Sequence, residues 1–292
     1  MKIPDFKQHI AMLLVGLLYG TNYSIVKIIT PEYILPFGLI VIRVAIATAC
    51  FWLIGLSVNE KINWRADWVR IVLCAFFGVG INMLFFFKGV SLTTAINGSI
   101  IMTLTPVMVF VTSLILLKEK VTLLKVLGLA VGFLGAFLII YSPGTGISLG
   151  NWRGDVLILL NAMSYGVYLV LVKPLMARYT PITVAKWIFF FGFLLVLPVG
   201  WNEFTQIEWQ ALTAKVYFSM AFVIIGVTVI VYVLNIWALK KVNPSTVGVY
   251  IYVQPVFATL IASTFFGEIL SIRHLIAALL VFAGVWLVVK RG

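Results

Sequence analysis

The feature that most limits this chain is its row of long apolar runs. Ten stretches are apolar on all sides: His9–Ile29, Ile34–Ser57, Trp68–Phe87, Ala95–Leu117, Thr122–Tyr141, Val156–Val172, Ile182–Val199, Val216–Leu239, Pro244–Phe266 and Ile272–Val289. A helix of about 20 apolar residues crosses a bilayer core about 30 Å thick. A spanning strand needs only about 9–11 residues and alternates in polarity. The runs therefore predict an all-α integral membrane protein with ten transmembrane helices.

Composition narrows the classes further. Of 292 residues, 63% are hydrophobic and 10% charged, against about 25% charged in a soluble domain. So few charges cannot coat a water-facing surface, which excludes a soluble enzyme, a disordered chain and a nucleic-acid-binding domain. The net charge of +12 does not reverse this, because the basic residues sit between apolar runs and not on one face. Cys50 and Cys74 lie inside apolar runs, in neither a disulfide framework nor a metal site. No cofactor is expected. Lys2 and Lys7 precede an apolar stretch that is too long for a signal-peptide core. It ends in Thr21-Asn22-Tyr23 without a small-residue cleavage pattern, so it reads as a retained first helix.

Lys and Arg set the orientation. With the N-terminus inside, Lys27, Lys88, Arg153, Lys215 and Arg273 fall outside, Arg43 lies within a span, and the other fifteen of the 21 fall inside. The loops are short, so the positive-inside rule applies, and both termini are expected in the cytoplasm of a cell (inner or plasma) membrane.

The two halves resemble each other. An offset of 146 pairs Tyr19-Gly20 with Tyr165-Gly166 and Lys27 with Lys173; an offset of 149 pairs Pro106 with Pro255 and Glu119 with Glu268. Each half holds five spans, and five is odd, so the halves are inverted relative to each other. Inverted repeats are a common plan for secondary transporters, with the site near the midplane between them. The expected units are 9–141 and 151–290, joined by the glycine-rich stretch Ser142–Gly150.

With Leu18-Tyr19-Gly20-Thr21-Asn22, Arg43, Thr105-Pro106, Leu117-Lys118-Glu119-Lys120-Val121-Thr122, Gln254-Pro255 and Gly267-Glu268-Ile269-Leu270-Ser271 in view, the chain resembles the drug/metabolite transporter superfamily. It resembles specifically two tandem EamA-type domains, over nearly its whole length. The resemblance implies a carrier of small metabolites, and the expected function is export of amino acids or related polar solutes by alternating access. The alternatives are a sugar-phosphate or nucleotide-sugar exchanger and an exporter of apolar drugs. The family commonly has Trp where this chain has Tyr19.

Several residues are candidates for the site. Arg43 lies about nine residues into its span, roughly 14 Å deep. A charge there is expensive and is aimed at the protein interior or a wet cavity. It could hold a carboxylate or phosphate bidentately, or tie helix carbonyls together. Asn22, Asn82, Asn97, Asn161, Asn235 and Gln254 lie within spans, where each could read a polar solute or bridge two helices. Tyr19, Phe86, Tyr165, Tyr168, Tyr250 and Tyr252 could wall a cavity, whereas Trp237, next to Lys240, reads as interfacial. The residues expected to contact substrate are Tyr19, Asn22, Arg43, Asn82, Phe86, Asn97, Tyr165, Tyr168, Asn235, Tyr250 and Gln254.

Pro106 and Pro255 each remove a backbone hydrogen bond within a span, and with Gly98 and Gly248 they predict hinges or kinks. Thr122 and Ser271 read as N-caps, with Glu119 and Glu268 three residues before them suiting the positive helix end. Gly16 with Gly20, and Gly128 with Gly132, make small faces for close packing, within one monomer or across a homodimer.

No Asp or Glu lies within a span, so coupling to a membrane-buried carboxylate is not expected. No nucleophile–base pair or phosphate-cradling loop marks an enzyme. The expected partners are a small-molecule substrate and the lipid bilayer, and no nucleic acid.

Overall fold

The structure is a computed structural model that describes residues 6–92, 101–140, 152–266 and 272–290. Asn97, Gly98, Glu268, Ser271 and the stretch Ser142–Gly150 lie outside the described residues.

The described residues are helical, with no strand among them. The helices are α1 (Phe6–Ile29), α2 (Pro36–Gly55), α3 (Trp64–Ala75), α4 (Ile81–Leu92), α5 (Thr105–Leu117), α6 (Leu123–Ile140) and α7 (Trp152–Val172). They continue as α8 (Pro181–Thr205), α9 (Ala214–Ala221), α10 (Val231–Ala238), α11 (Pro244–Val249), α12 (Val253–Phe266) and α13 (Ile272–Val289). Five helical stretches are long and apolar enough to cross a membrane: Pro36–Gly55, Trp64–Gly89, Trp152–Ala177, Pro181–Thr205 and Ala214–Ala238. Thr105–Leu117, Leu123–Leu138 and Leu275–Val289 are shorter apolar helices.

Two helix ends reach beyond the apolar runs because their polar residues find partners. The chain turns helical at Trp64 rather than Trp68 and so takes in Asp67. Asp67 is buried, and both its oxygens lie 2.7 Å from Arg178 Nη1. The helix expected to end at Val199 continues to Thr205 and carries Glu203 with it. Glu203 Oε2 accepts from the backbone N–H of Phe37 (2.6 Å) and Gly38 (3.1 Å) in the first turn of α2. Glu60 does the same for α8, where Oε2 accepts from Thr180 N (2.8 Å) and Oγ1 (3.0 Å). Each glutamate satisfies donors that a helix start leaves without intrahelical partners. The paired helices α2 and α8 are thus capped reciprocally, each by a residue near the far end of the other.

Helices at corresponding places in the two halves pack on each other, α2 against α8 and α6 against α13. The second contact is close because small residues meet. A Cβ on Gly284 would stand 2.5 Å from Gly132 N, and one on Gly128 2.8 Å from Gly284 O. Packing of this kind, rather than water exclusion, holds helices together in lipid. Around these pairs, α1 lies on α12 and α10, and α7 lies on α5 and α4.

Four helical interruptions break the regularity. The helix from Trp64 passes through a π-helical segment at Phe76–Gly80, and the one from Ala214 through another at Phe222–Ile230. Both begin at positions 146 apart. A turn at 103–104 precedes α5, which puts Pro106 in its first turn rather than inside a continuous span. A 3₁₀ turn at Tyr250–Tyr252 separates α11 from α12, just before Pro255.

Candidate functional site

A cavity of about 130 Å³ lies where these interruptions meet. That is roughly ten times the space one water requires. The first half contributes Tyr19 and Asn22 from α1, Arg43 from α2, Asn82, Met83, Phe86 and Phe87 from α4, then Met102 and Thr105. The second half contributes Asn161 and Tyr165 from α7, Tyr232 from α10, Ile251 from the 3₁₀ turn and Gln254 from α12. The wall is mostly apolar, with a few polar groups and one permanent charge.

Arg43 is 7% exposed. Its Nε donates to Thr228 Oγ1 at 2.8 Å, and Thr228 in turn donates to Val223 O at 2.9 Å. Thr228 and Val223 both lie, five residues apart, in the second π-helical segment. The first π-helical segment is satisfied in the same way. Tyr232 Oη donates to Gly78 O (2.7 Å) and Ser164 Oγ donates to Phe77 O (2.5 Å). A Cβ on Gly78 would meet the Tyr168 ring at 2.4 Å, so glycine is what lets that ring lie against the segment.

Asn82 and Asn161 bridge α4 and α7 reciprocally. Asn82 Nδ2 donates to Asn161 O (3.2 Å), and Asn161 Nδ2 donates to Asn82 O (2.8 Å). Their amides therefore fix the wall while still facing the cavity. Thr105 Oγ1 donates to Met102 O at 2.7 Å, the carbonyl that Pro106 cannot serve because it has no N–H. Asn22 Oδ1 is buried without a hydrogen-bond partner.

The structure thus gathers Tyr19, Asn22, Arg43, Asn82, Phe86, Tyr165 and Gln254 around one space. Three expected residues stand elsewhere. Tyr168 is buried behind the wall, its ring centroid 6.1 Å from both Tyr165 and Tyr232, because Gly78 leaves room for it there. Asn235 is buried on α10, outside the lining set. Tyr250 Oη is bonded to His9 Nδ1 (2.9 Å), which ties α1 to the 3₁₀ turn instead of facing the cavity. Gly248 serves packing, since a Cβ there would meet Val109 at 2.9 Å.

Met83, Phe87, Met102, Thr105, Tyr232 and Ile251 are lining residues that composition and polarity alone do not single out. Met102 and Ile251 do carry a signal, since each lies four residues before a proline, and Thr105 lies directly before Pro106. Tyr232 has a weaker one, standing 146 positions after Phe86.

Polar contacts tie the α5–α6 connection to α6 and α11. Lys125 Nζ pairs with Glu119 Oε1 at 2.7 Å, both largely buried, and Ser245 Oγ donates to the same oxygen. Lys118 takes a left-handed conformation (φ 52°) that turns the chain toward Glu119 at the end of α5. Thr122 Oγ1 accepts from Lys125 N at 3.3 Å at the start of α6. Among the described residues no group of His, Cys, Asp and Glu is arranged to hold a metal ion.

The family model described as the EamA-like transporter family matches residues 6–141 and again 152–290. An uncharacterized transporter of Archaeoglobus fulgidus is 25% identical over 98% of this chain and 99% of its own length. A probable terminal-alkyne amino-acid exporter of Streptantibioticus cattleyicolor is 26% identical, covering 87% of this chain and 84% of its own. A solved crystal structure superposes with a TM-score of 0.78 at 19% identity, covering 96% of both chains, which establishes a shared fold.

Proposed function

The chain belongs to the EamA-like transporter family, with two tandem copies of the family domain, and we propose that it moves a small polar solute out of the cell by alternating access. The solute class is amino acids or related polar solutes that carry a carboxylate. In this reading the chain crosses the cell membrane ten times, as two inverted repeats of five helices over 9–141 and 151–290, with both termini in the cytoplasm.

One observation carries the reading: a single cavity is walled by both repeats and sits at breaks in four helices, with Arg43 in its wall. A site between two related halves is what a rocking carrier requires, because motion of one half against the other changes which side is open. The breaks near Pro106 and Pro255 and at the two π-helical segments supply places where such motion can bend. In this reading the contacts among Glu119, Lys125 and Ser245 fall on the cytoplasmic side, where they would act as an inner gate. Arg43 is the single basic group among the described lining residues. A sugar-phosphate exchanger would bring a second cation to a phosphate, so a carboxylate fits better. The exporter from Streptantibioticus cattleyicolor supports the amino-acid direction at low identity.

The test is counterflow in proteoliposomes holding the purified chain, with unlabelled amino acids inside and labelled ones outside. Uptake that requires internal substrate and falls in Arg43→Ala is the expected result. Uptake equal to that of empty liposomes would refute amino acids as the cargo.

A further inference from the structure

The cavity holds a cation with no anion beside it. Arg43 is buried to 93%, its Nε rests on the neutral hydroxyl of Thr228, and no ion pair involving it occurs among the described residues. No described lining residue is acidic. Four acids have partners of their own: Asp67 with Arg178, Glu119 with Lys125, Glu60 with Thr180 and Glu203 with the start of α2. An isolated charge in a low-dielectric interior is costly and is ordinarily paired. Here the wall leaves that pairing to whatever enters.

We propose that the transported solute is a net monoanion: a small carboxylate with no ammonium to balance it, such as a 2-oxo acid, a 2-hydroxy acid or an N-acylated amino acid. This rests on the carrier reading above and narrows its solute class. A carboxylate on Arg43 brings the occupied cavity to zero net charge. A zwitterionic amino acid also pairs with Arg43 but leaves its ammonium, and hence one uncompensated positive charge, in the same enclosed space. Like charges a few ångströms apart repel strongly when water is scarce. The rings of Tyr19, Phe86, Tyr165 and Tyr232 offer an ammonium only cation–π contact, weaker than an ion pair. The same rings suit the apolar body of a monocarboxylate. Thr228 is a positioning residue: by holding Nε it leaves the two terminal nitrogens of Arg43 for the solute.

The experiment uses the full chain in proteoliposomes and matched triads with alanine, leucine and phenylalanine side chains. Each triad holds the 2-oxo acid, the amino acid and the amino amide, which are negative, neutral and positive at pH 7. Counterflow is measured with the membrane potential clamped at zero. The expected result is a rate over KM for at least one 2-oxo acid that exceeds its amino acid by about tenfold or more. Arg43→Gln should erase the preference, whereas Arg43→Lys should keep it with a raised KM, since the charge stays and the fork is lost. Thr228→Val, which retains the charge and the side-chain shape, should also raise KM without reversing the order. Amino acids moving as fast as their oxo acids would overturn the inference and leave the carrier reading intact. An anion preference that survives Arg43→Gln would also overturn it. No movement by any member of any triad would overturn the carrier reading for this solute class, and the inference with it.

Discussion

If Arg43 exists for the solute, removing its charge should make the empty protein more stable, not less. The perturbation is Arg43→Met, which keeps an unbranched apolar chain in the same volume. Burying an unpaired ion costs several kcal/mol even after relaxation. The protein recovers part of this through the Nε bond to Thr228 at 2.8 Å, and a hydrogen bond to a charged group is worth about 1.5–3 kcal/mol. Thr228 does not become an orphan in the variant, because its hydroxyl still donates to Val223 O. The balance favours Met by about 1–3 kcal/mol. At roughly 2–4 °C per kcal/mol for a chain of this size, the midpoint of thermal unfolding should rise by several degrees in detergent micelles. Counterflow should be lost in the same protein. A drop of several degrees would refute the reasoning, since it would mean Arg43 ties helices together and its removal leaves holes in a structural network. The measurement needs no knowledge of the solute.

Three further outcomes follow from the geometry. Thr228→Val strips Arg43 Nε of its acceptor and should lower the midpoint, and in the Arg43→Met background it should cost distinctly less; a double-mutant cycle additive within about 0.3–0.5 kcal/mol would deny the contact. Gly284→Ala would place a methyl 2.5 Å from Gly132 N and 2.6 Å from its Cα, backbone atoms that cannot rotate away, so thermal unfolding should show a loss of about 1–3 kcal/mol; Gly16→Ala, whose nearest neighbour would be Val253 Cβ at 3.5 Å, should be close to neutral. Burial pulls the Glu60 carboxyl up, but hydrogen bonds from Thr183 and Thr180 outweigh it and hold the group below the ordinary glutamate range. With a depressed folded-state value, the stability Glu60 contributes is present above its unfolded pKa and is lost as pH falls through the folded one; the midpoint difference between the native chain and Glu60→Gln should therefore be constant near neutrality and shrink in acid.

Much of the wall was legible because polarity inside an apolar run is rare and therefore informative. Arg43, Asn22, Asn82 and Gln254 stand out against their neighbours in any reading of the chain, and all four face the cavity. Aromatic residues carry no such contrast in a chain that is 14% aromatic. Tyr19 and Tyr165 were marked by the repeat, while Tyr168 and Tyr250, equally polar, turned to Gly78 and His9 instead. A hydroxyl at a given depth does not announce which neighbour it will find. For Asn82, facing the cavity and bridging helices are compatible roles. One side chain bridges α4 to α7 and lines the cavity at once.

The helix breaks divide along the same line. Proline announces a break by its chemistry, and the chain does leave regular α-helix just ahead of both Pro106 and Pro255. The π-helical segments announce nothing, since Phe76-Phe77-Gly78-Val79-Gly80 and the run from Phe222 to Ile230 read as ordinary apolar helix. What sets them apart is the side-chain hydroxyls that serve their carbonyls: Tyr232 and Ser164, from other helices, for the first segment, and Thr228, from within the segment, for the second. Two of those three hydroxyls belong to the cavity's own machinery, since Tyr232 lines it and Thr228 holds Arg43. The irregular backbone and the charged wall are therefore one structure. A shift of either segment back to α register would free Gly78 O or Val223 O from its hydroxyl, and in the second case would move the acceptor on which Arg43 rests. In this geometry the position of the cavity's one charge and the register of a spanning helix cannot change independently.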